Sequence, residues 1–168
     1  MDHANFGLLV IRLCLGLFMA YHGYNKVFGK GGLAGTAGWF GSMGWKYPAV
    51  QAKVAAATEI GAGLMVAAGF LTPLACAGLI GLMVVAIVTV HWKVGFFIFL
   101  PNGGWEYCGA IALCALGLAS IGAGEWSLDH AMDLDVTDWK GLAIALVVGV
   151  GGALLQLGLF FKPAKTSS

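Results

Sequence analysis

LACAGLIGLMVVAIVTVHW, residues 74–92, runs for 19 residues without Asp, Glu, Lys or Arg. At 1.5 Å per residue, a helix of that length covers close to the ~30 Å hydrocarbon core of a bilayer. Similar apolar stretches recur on both sides of it. Span one runs about Phe6–Tyr24 and span two about Val54–Leu71; span three is Leu74–Trp92 itself. Span four is about Gly104–Ile121 and span five about Gly141–Phe161. Thr72-Pro73 turns the chain before span three, and Pro73 suits the first position of a helix. The period-2 alternation of a membrane β-barrel is absent. The sequence therefore predicts an all-α membrane protein, a small bundle of five spans.

Composition agrees. Of 168 residues, 60% are hydrophobic and 10% charged, with a mean hydropathy of +0.87, which leaves no room for a separate soluble domain. A net charge of +1 without a basic tract makes nucleic acid an unexpected partner. The 27 glycines are dispersed through the apolar segments, where small residues let membrane helices pack closely. Gly29–Gly44, carrying Trp39, Phe40 and Met43 and followed by Trp45, reads as an interfacial or re-entrant segment. Val94–Leu100 is too short to cross, and Pro101-Asn102-Gly103-Gly104 marks a turn.

Span one lacks a basic n-region and has Arg12 in mid-run, so it is expected to be retained rather than cleaved. With five spans, one side collects Lys26, Lys30, Lys46, Lys53, Lys93, Lys162 and Lys165. The other holds Lys140 beside Glu125, Asp129, Asp133, Asp135 and Asp138. The positive-inside rule then puts the N-terminus outside and the C-terminus in the cytoplasm.

Six ionisable residues fall inside or at the lip of the spans: Arg12, His22, Lys26, Glu59, His91 and Glu106. A charge at the bilayer centre costs roughly 2.5–3.5 kcal/mol on insertion scales, so such groups pair or do chemistry. The topology brings His22, Lys26, Glu59, His91 and Glu106 to the cytoplasmic leaflet from four helices. Arg12 shares their face of span one but lies about 15 Å from His22 along it. The formal charges cancel, and two histidines titrate near neutral pH. Blander roles exist for each: Lys26 snorkelling, His91 at headgroup level, Glu106 on a helix dipole, Arg12 and Glu59 in a structural ion pair.

The same residues carry a family likeness. Arg12-Leu-Cys-Leu-Gly16-Leu-Phe18 with His22-Gly23-Tyr-Asn-Lys26 resembles the opening signature of the DoxX/DoxD membrane proteins. Thr58-Glu59, Gly69-Phe70-Leu71-Thr72-Pro73, His91 and Gly103-Gly104-Trp105-Glu106-Tyr107 follow in order. Gly124-Glu125-Trp126-Ser127-Leu128-Asp129 resembles the family's closing motif, so the likeness covers about Phe6 to Asp129. After His91 the chain departs from the family, with Lys93-Val-Gly-Phe-Phe where a polar Asn-Gly-Phe-Phe is common. The resemblance implies a four-helix transmembrane core over residues 1–130. Residues 131–168 then add an acidic outer loop, a fifth C-terminal transmembrane helix and a short cytoplasmic tail, in a bacterial inner membrane. Some relatives are the membrane part of a thiosulfate:quinone oxidoreductase and others act in thiol-oxidative stress with soluble partners, so a quinone and a sulfur or thiol donor are the implied substrates.

The residues favour an anionic or quinone-type ligand. Arg12 and Lys26 can hold a carbonyl oxygen or small oxyanion. His22 and His91 can relay protons, with Glu59 and Glu106 orienting them or passing protons onward. Tyr24, Trp92 and Trp105 can line the ligand's path. Cys14, Cys76, Cys108 and Cys114 contain no C-x-x-C pair and read as packing residues. No bound metal is expected, because His22, His91, Glu59 and Glu106 lack a ligand spacing and two cations stand beside them. Two other functions stay open: a non-catalytic anchor or assembly subunit, in which the small-residue face of span five contacts a protein partner or a second copy, and a small transporter.

Overall fold

The structure, a computed structural model, describes residues 2–164; Lys165, one of the lysines counted in the orientation, lies outside them. Among the described residues the regular secondary structure is helical, apart from one isolated bridge between Trp45 and Phe161. Its helices are α1 (Asp2–Phe28), α2 (Gly32–Met43), α3 (Pro48–Ala68), α4 (Thr72–Ala86), α5 (Glu106–Ile121), α6 (Leu128–Ala131) and α7 (Asp138–Phe160). A π turn at Ile87–His91 extends α4.

Among these, His3–Phe28, Thr72–His91 and Asp138–Phe160 are long and apolar enough to cross a membrane. The other two expected spans differ in a specific way. α5 is apolar but has only 16 residues. α3 has 21 residues, long enough to cross, but Gln51, Lys53 and Glu59 dilute its apolar content. The Gly29–Gly44 segment is not irregular: its central part is α2, which has no buried residue and lies between Gly31 and Gly44, both at positive φ. At Gly44 a Cβ would collide with the Lys162 backbone, so only glycine fits.

Two helix pairs make the core. α1 packs on α3, and the backbones touch where Gly16 meets Gly63 and Ala67 and where Gly23 meets Ala56. α7 packs on α4, with Gly149 against Ala77 and Gly81, and Gly141 against the end of α5 at Ala119. Lipid supplies no hydrophobic drive between helices, so this close backbone contact provides the packing energy. Leu15, Met19, Val66, Leu79, Ile80, Met83 and Leu118 fill the space between the pairs. Cys76 and Cys108 are buried there as expected, whereas Cys14 and Cys114 are exposed and do not pack in the core. A methyl group at Gly16 would strike the α3 backbone, so Gly16→Ala is expected to cost about 1–3 kcal/mol by overpacking. Gly7→Ala, where a Cβ meets nothing within 4 Å, is expected to be neutral or better. Thermal melts of both variants in detergent check the difference.

Candidate functional site

The polar residues divide between the two ends of the bundle. At one end, Lys26 Nζ donates to Glu59 Oε1 and Oε2, both at 2.6 Å. The pair is mostly shielded, with side chains 21% and 8% exposed. An ammonium has three N–H donors, so one is left for a ligand. The His22 ring lies 6.4 Å from that of Tyr107. His91 Nδ1 stands 2.8 Å from the Gly103 carbonyl oxygen. A carbonyl only accepts, so Nδ1 carries the proton and Nε2 is the nitrogen a neutral His91 offers elsewhere.

The π turn presents His91 in this way. Trp92 N donates to Ile87 O at 2.7 Å, closing the wider ring that shifts the helix register just before α4 ends. Below it the loop from Lys93 folds back, with Trp105 N on Gly95 O and Glu106 N on Phe96 O, which brings the Gly103 carbonyl to the ring.

These groups form the polar end of a cleft of about 470 Å³. Its floor is α4, its walls are α3 and α7, and Trp39, Phe40 and Met43 of α2 close it near the Lys26–Glu59 pair. α3 and α7 stay apart along most of their length and meet near one end, where Gln156 Nε2 donates to Gln51 Oε1 at 2.8 Å. Trp45, 5% exposed, also lines the cleft, and its indole N–H has no partner among the described residues.

His22, Lys26, Glu59 and His91 thus all line one cleft, from three helices. Glu106, Tyr24, Trp105 and Arg12 do not line the cleft. Glu106 accepts from Ile98 N at 3.0 Å and braces the 94–104 loop instead. Trp105 packs on Trp92 and Phe96 in the same loop, with ring centroids 6.1 and 4.8 Å away. Tyr24 is exposed on the outer face of α1, where it packs on Tyr21 and Phe28.

Arg12 is the main correction. It is 1% exposed, and its Nη2 donates to Trp126 O at the far end of the bundle. Among the described residues it forms no ion pair, and its Nε and Nη1 are buried without partners. Around it, the 124–129 segment closes over the α3–α4 turn as a latch. Asp129 is 2% exposed, with Oδ1 accepting from Leu71 N at 2.6 Å and Oδ2 from Thr72 N at 2.9 Å. Asp129 N donates to Gly69 O, and Asn5 exchanges two hydrogen bonds with Glu125. Asp129, counted in the sequence with the acidic residues on the side of Lys140, is therefore a buried cap. The structure gathers four ionisable groups at the cleft and holds Arg12 in a separate latch.

Tyr107, Thr58, Trp45 and Gln156 also stand on the cleft wall, and none of them is expected there from the sequence. Tyr107 follows Glu106 directly, and one step along a helix turns a side chain by about 100°. That turn puts Tyr107, not Glu106, on the inner face. Among the described residues no three of His, Cys, Asp and Glu come together as a metal site would need.

Comparison with known proteins adds two findings. The DoxX family profile matches residues 7–92, which include the cleft residues of α1, α3 and α4. A Bacillus subtilis (strain 168) protein named "Putative oxidoreductase CatD" is 31% identical over 123 residues, 73% of this chain and 84% of that protein. No solved structure matches significantly.

Proposed function

The chain belongs to the DoxX family, and from that premise we propose that it is a quinone-linked redox subunit of a bacterial inner membrane. In this reading it crosses the bilayer five times, with the N-terminus outside and the C-terminus in the cytoplasm. The lysine asymmetry supports that orientation, with Lys26, Lys30, Lys46, Lys53, Lys93 and Lys162 against Lys140. The observation that carries the proposal is an apolar cleft with a polar end that combines one spare ammonium N–H with two imidazoles.

The residues fit a quinone ring. A cleft of 470 Å³ falls within the usual range for a small-molecule site. Lys26 is held by Glu59 so that its third N–H can meet a ligand oxygen, where it stabilises developing negative charge. His91, fixed through Nδ1 by the Gly103 carbonyl, offers Nε2 to take up or give a proton. His22 beside Tyr107 is the second proton carrier. The net reaction joins two thiol or thiosulfate sulfurs through a new S–S bond. The two electrons released, with two protons from the broken thiol S–H bonds or, for thiosulfate, from water, convert the quinone to its quinol. The oxidoreductase name of the Bacillus subtilis relative supports the redox half of this reading.

The test measures reduction of a soluble quinone analogue by membranes containing the protein, with thiosulfate or a dithiol as donor. Activity above empty membranes is expected, falling on the order of 10²-fold or more in His91→Ala and His22→Ala. Wild-type membranes that match empty ones overturn the enzymatic reading. A stoichiometric partner in native purification, without turnover, then supports a membrane anchor or assembly subunit.

A further inference from the structure

His22, Lys26, Glu59 and His91 make up only part of the cleft lining, and much of the rest has a different character. From His91 it runs back along α4 to Leu74, about 25 Å at 1.5 Å per residue. Most of the lining along this length, with Ala55, Gly78 and Leu82, is apolar, and Thr58 of α3 stands beside Gly78. Three residues on its rim, Val54, Leu74 and Val148, are each about half exposed (46%, 47% and 50%), so the cleft opens sideways between α3 and α7.

Gly152 supplies a second detail. Glycine inside a helix is unfavourable relative to alanine unless something requires it. Gly81 and Gly149 are required, because the backbones of α4 and α7 touch there. Gly152 also lines the cleft and is exposed, yet it has no positive φ and a Cβ on it would meet nothing within 4 Å. Packing does not account for it, nor for Gly151 and Gly158 of the same helix, where a Cβ also meets nothing; of these three, Gly152 alone lines the cleft.

We propose that the apolar reach holds the isoprenoid chain of a membrane quinone, which enters sideways from the bilayer, and that Gly152 is the residue that keeps this passage open. The proposal rests on the reading of the polar end given above. Depth favours a quinone over a phospholipid as the occupant. Glu59 lies about 16 Å along α3 from Pro48, too deep for a headgroup that must stay at the membrane surface, whereas an uncharged ring can sit there. The unpartnered indole N–H of Trp45 is a further donor in the same cleft.

The experiment titrates the full chain in phosphatidylcholine nanodiscs with two probes, following tryptophan quenching. One is a benzoquinone with a decyl chain, and the other is the same ring without it. After correction for partition into empty discs, wild type is expected to hold the chain-bearing quinone at least about tenfold tighter, since each buried methylene adds affinity. Gly152→Leu is expected to abolish that difference and leave the affinity for the bare ring unchanged. Gly151→Leu, where a side chain is equally free of clashes but off the cleft, leaves both affinities as they are. If Gly152→Leu weakens both probes equally or neither, the chain site is overturned while the polar-end reading stands. A phospholipid that stays in the cleft and is not displaced by the decyl quinone also overturns it. Binding of neither probe to wild type overturns both readings together.

Discussion

Asp129→Ala is expected to lower the melting temperature in detergent by roughly 6–12 °C, the equivalent of about 3 kcal/mol for a chain of this size. Its two carboxylate oxygens accept the Leu71 and Thr72 N–H groups at the start of α4, and at 2% exposure no water replaces them. Each buried donor left without a partner costs about 1–3 kcal/mol. The substitution also removes a negative charge from the surroundings of Arg12. Asp129→Asn keeps one acceptor oxygen and should fall between wild type and Ala. The Lys26–Glu59 pair lies toward the other end of α1, so affinity for a bare quinone ring, measured below the melting transition, should not change. A drop under about 2 °C for Asp129→Ala would show that the latch does not hold the α3–α4 turn.

A double-substitution cycle at Lys26 and Glu59 gives the second large effect, and it separates support from chemistry. Lys26→Met leaves a carboxylate that is 8% exposed without its cation, for an expected loss of about 3 kcal/mol. Glu59→Gln is milder, about 1 kcal/mol, because the 21% exposed lysine can turn toward solvent. Lys26→Met combined with Glu59→Leu should recover most of the stability, as buried pairs replaced by apolar residues usually do. Quinone reduction should stay low in all three variants. Chemical denaturation and the membrane assay, run on the same preparations, read the two quantities. Should the double variant regain activity along with stability, the pair is a strut and not part of the site.

Much of this arrangement is legible in the sequence. Run length identifies the five long helices but not α2 or α6, and the alternation of direction along the chain brings His22, Lys26, Glu59 and His91 to one cleft. The height of Arg12 is legible too and sets it apart from those four; what holds it there is not. Arg12 shares a face with Lys26, but 14 residues separate them, about 21 Å along α1. Its partner, the Trp126 carbonyl, is a backbone atom and leaves no mark in the sequence. Glu106 and Tyr107 show the opposite difficulty: height is right for both, and one helical step decides which faces inward. The π turn at Ile87–His91 carries no composition signal at all. Gly152 is hidden among glycines that serve packing, because empty space is visible only when the neighbouring helices are in place.

The latch also orders events during synthesis. Arg12 and Trp126 are 114 residues apart, and Asn5 and Glu125 are 120 apart. At 5–20 residues per second, the ribosome needs roughly 6–23 s after making Arg12 to supply its hydrogen-bond acceptor. Throughout that interval α1 must reside in or beside the membrane with a naked guanidinium, while α2 to α5 are still being made. The Arg12 end of the first helix is thus secured only after α2 to α5 have been made, and a nascent chain cut short before Trp126 leaves the guanidinium without this acceptor.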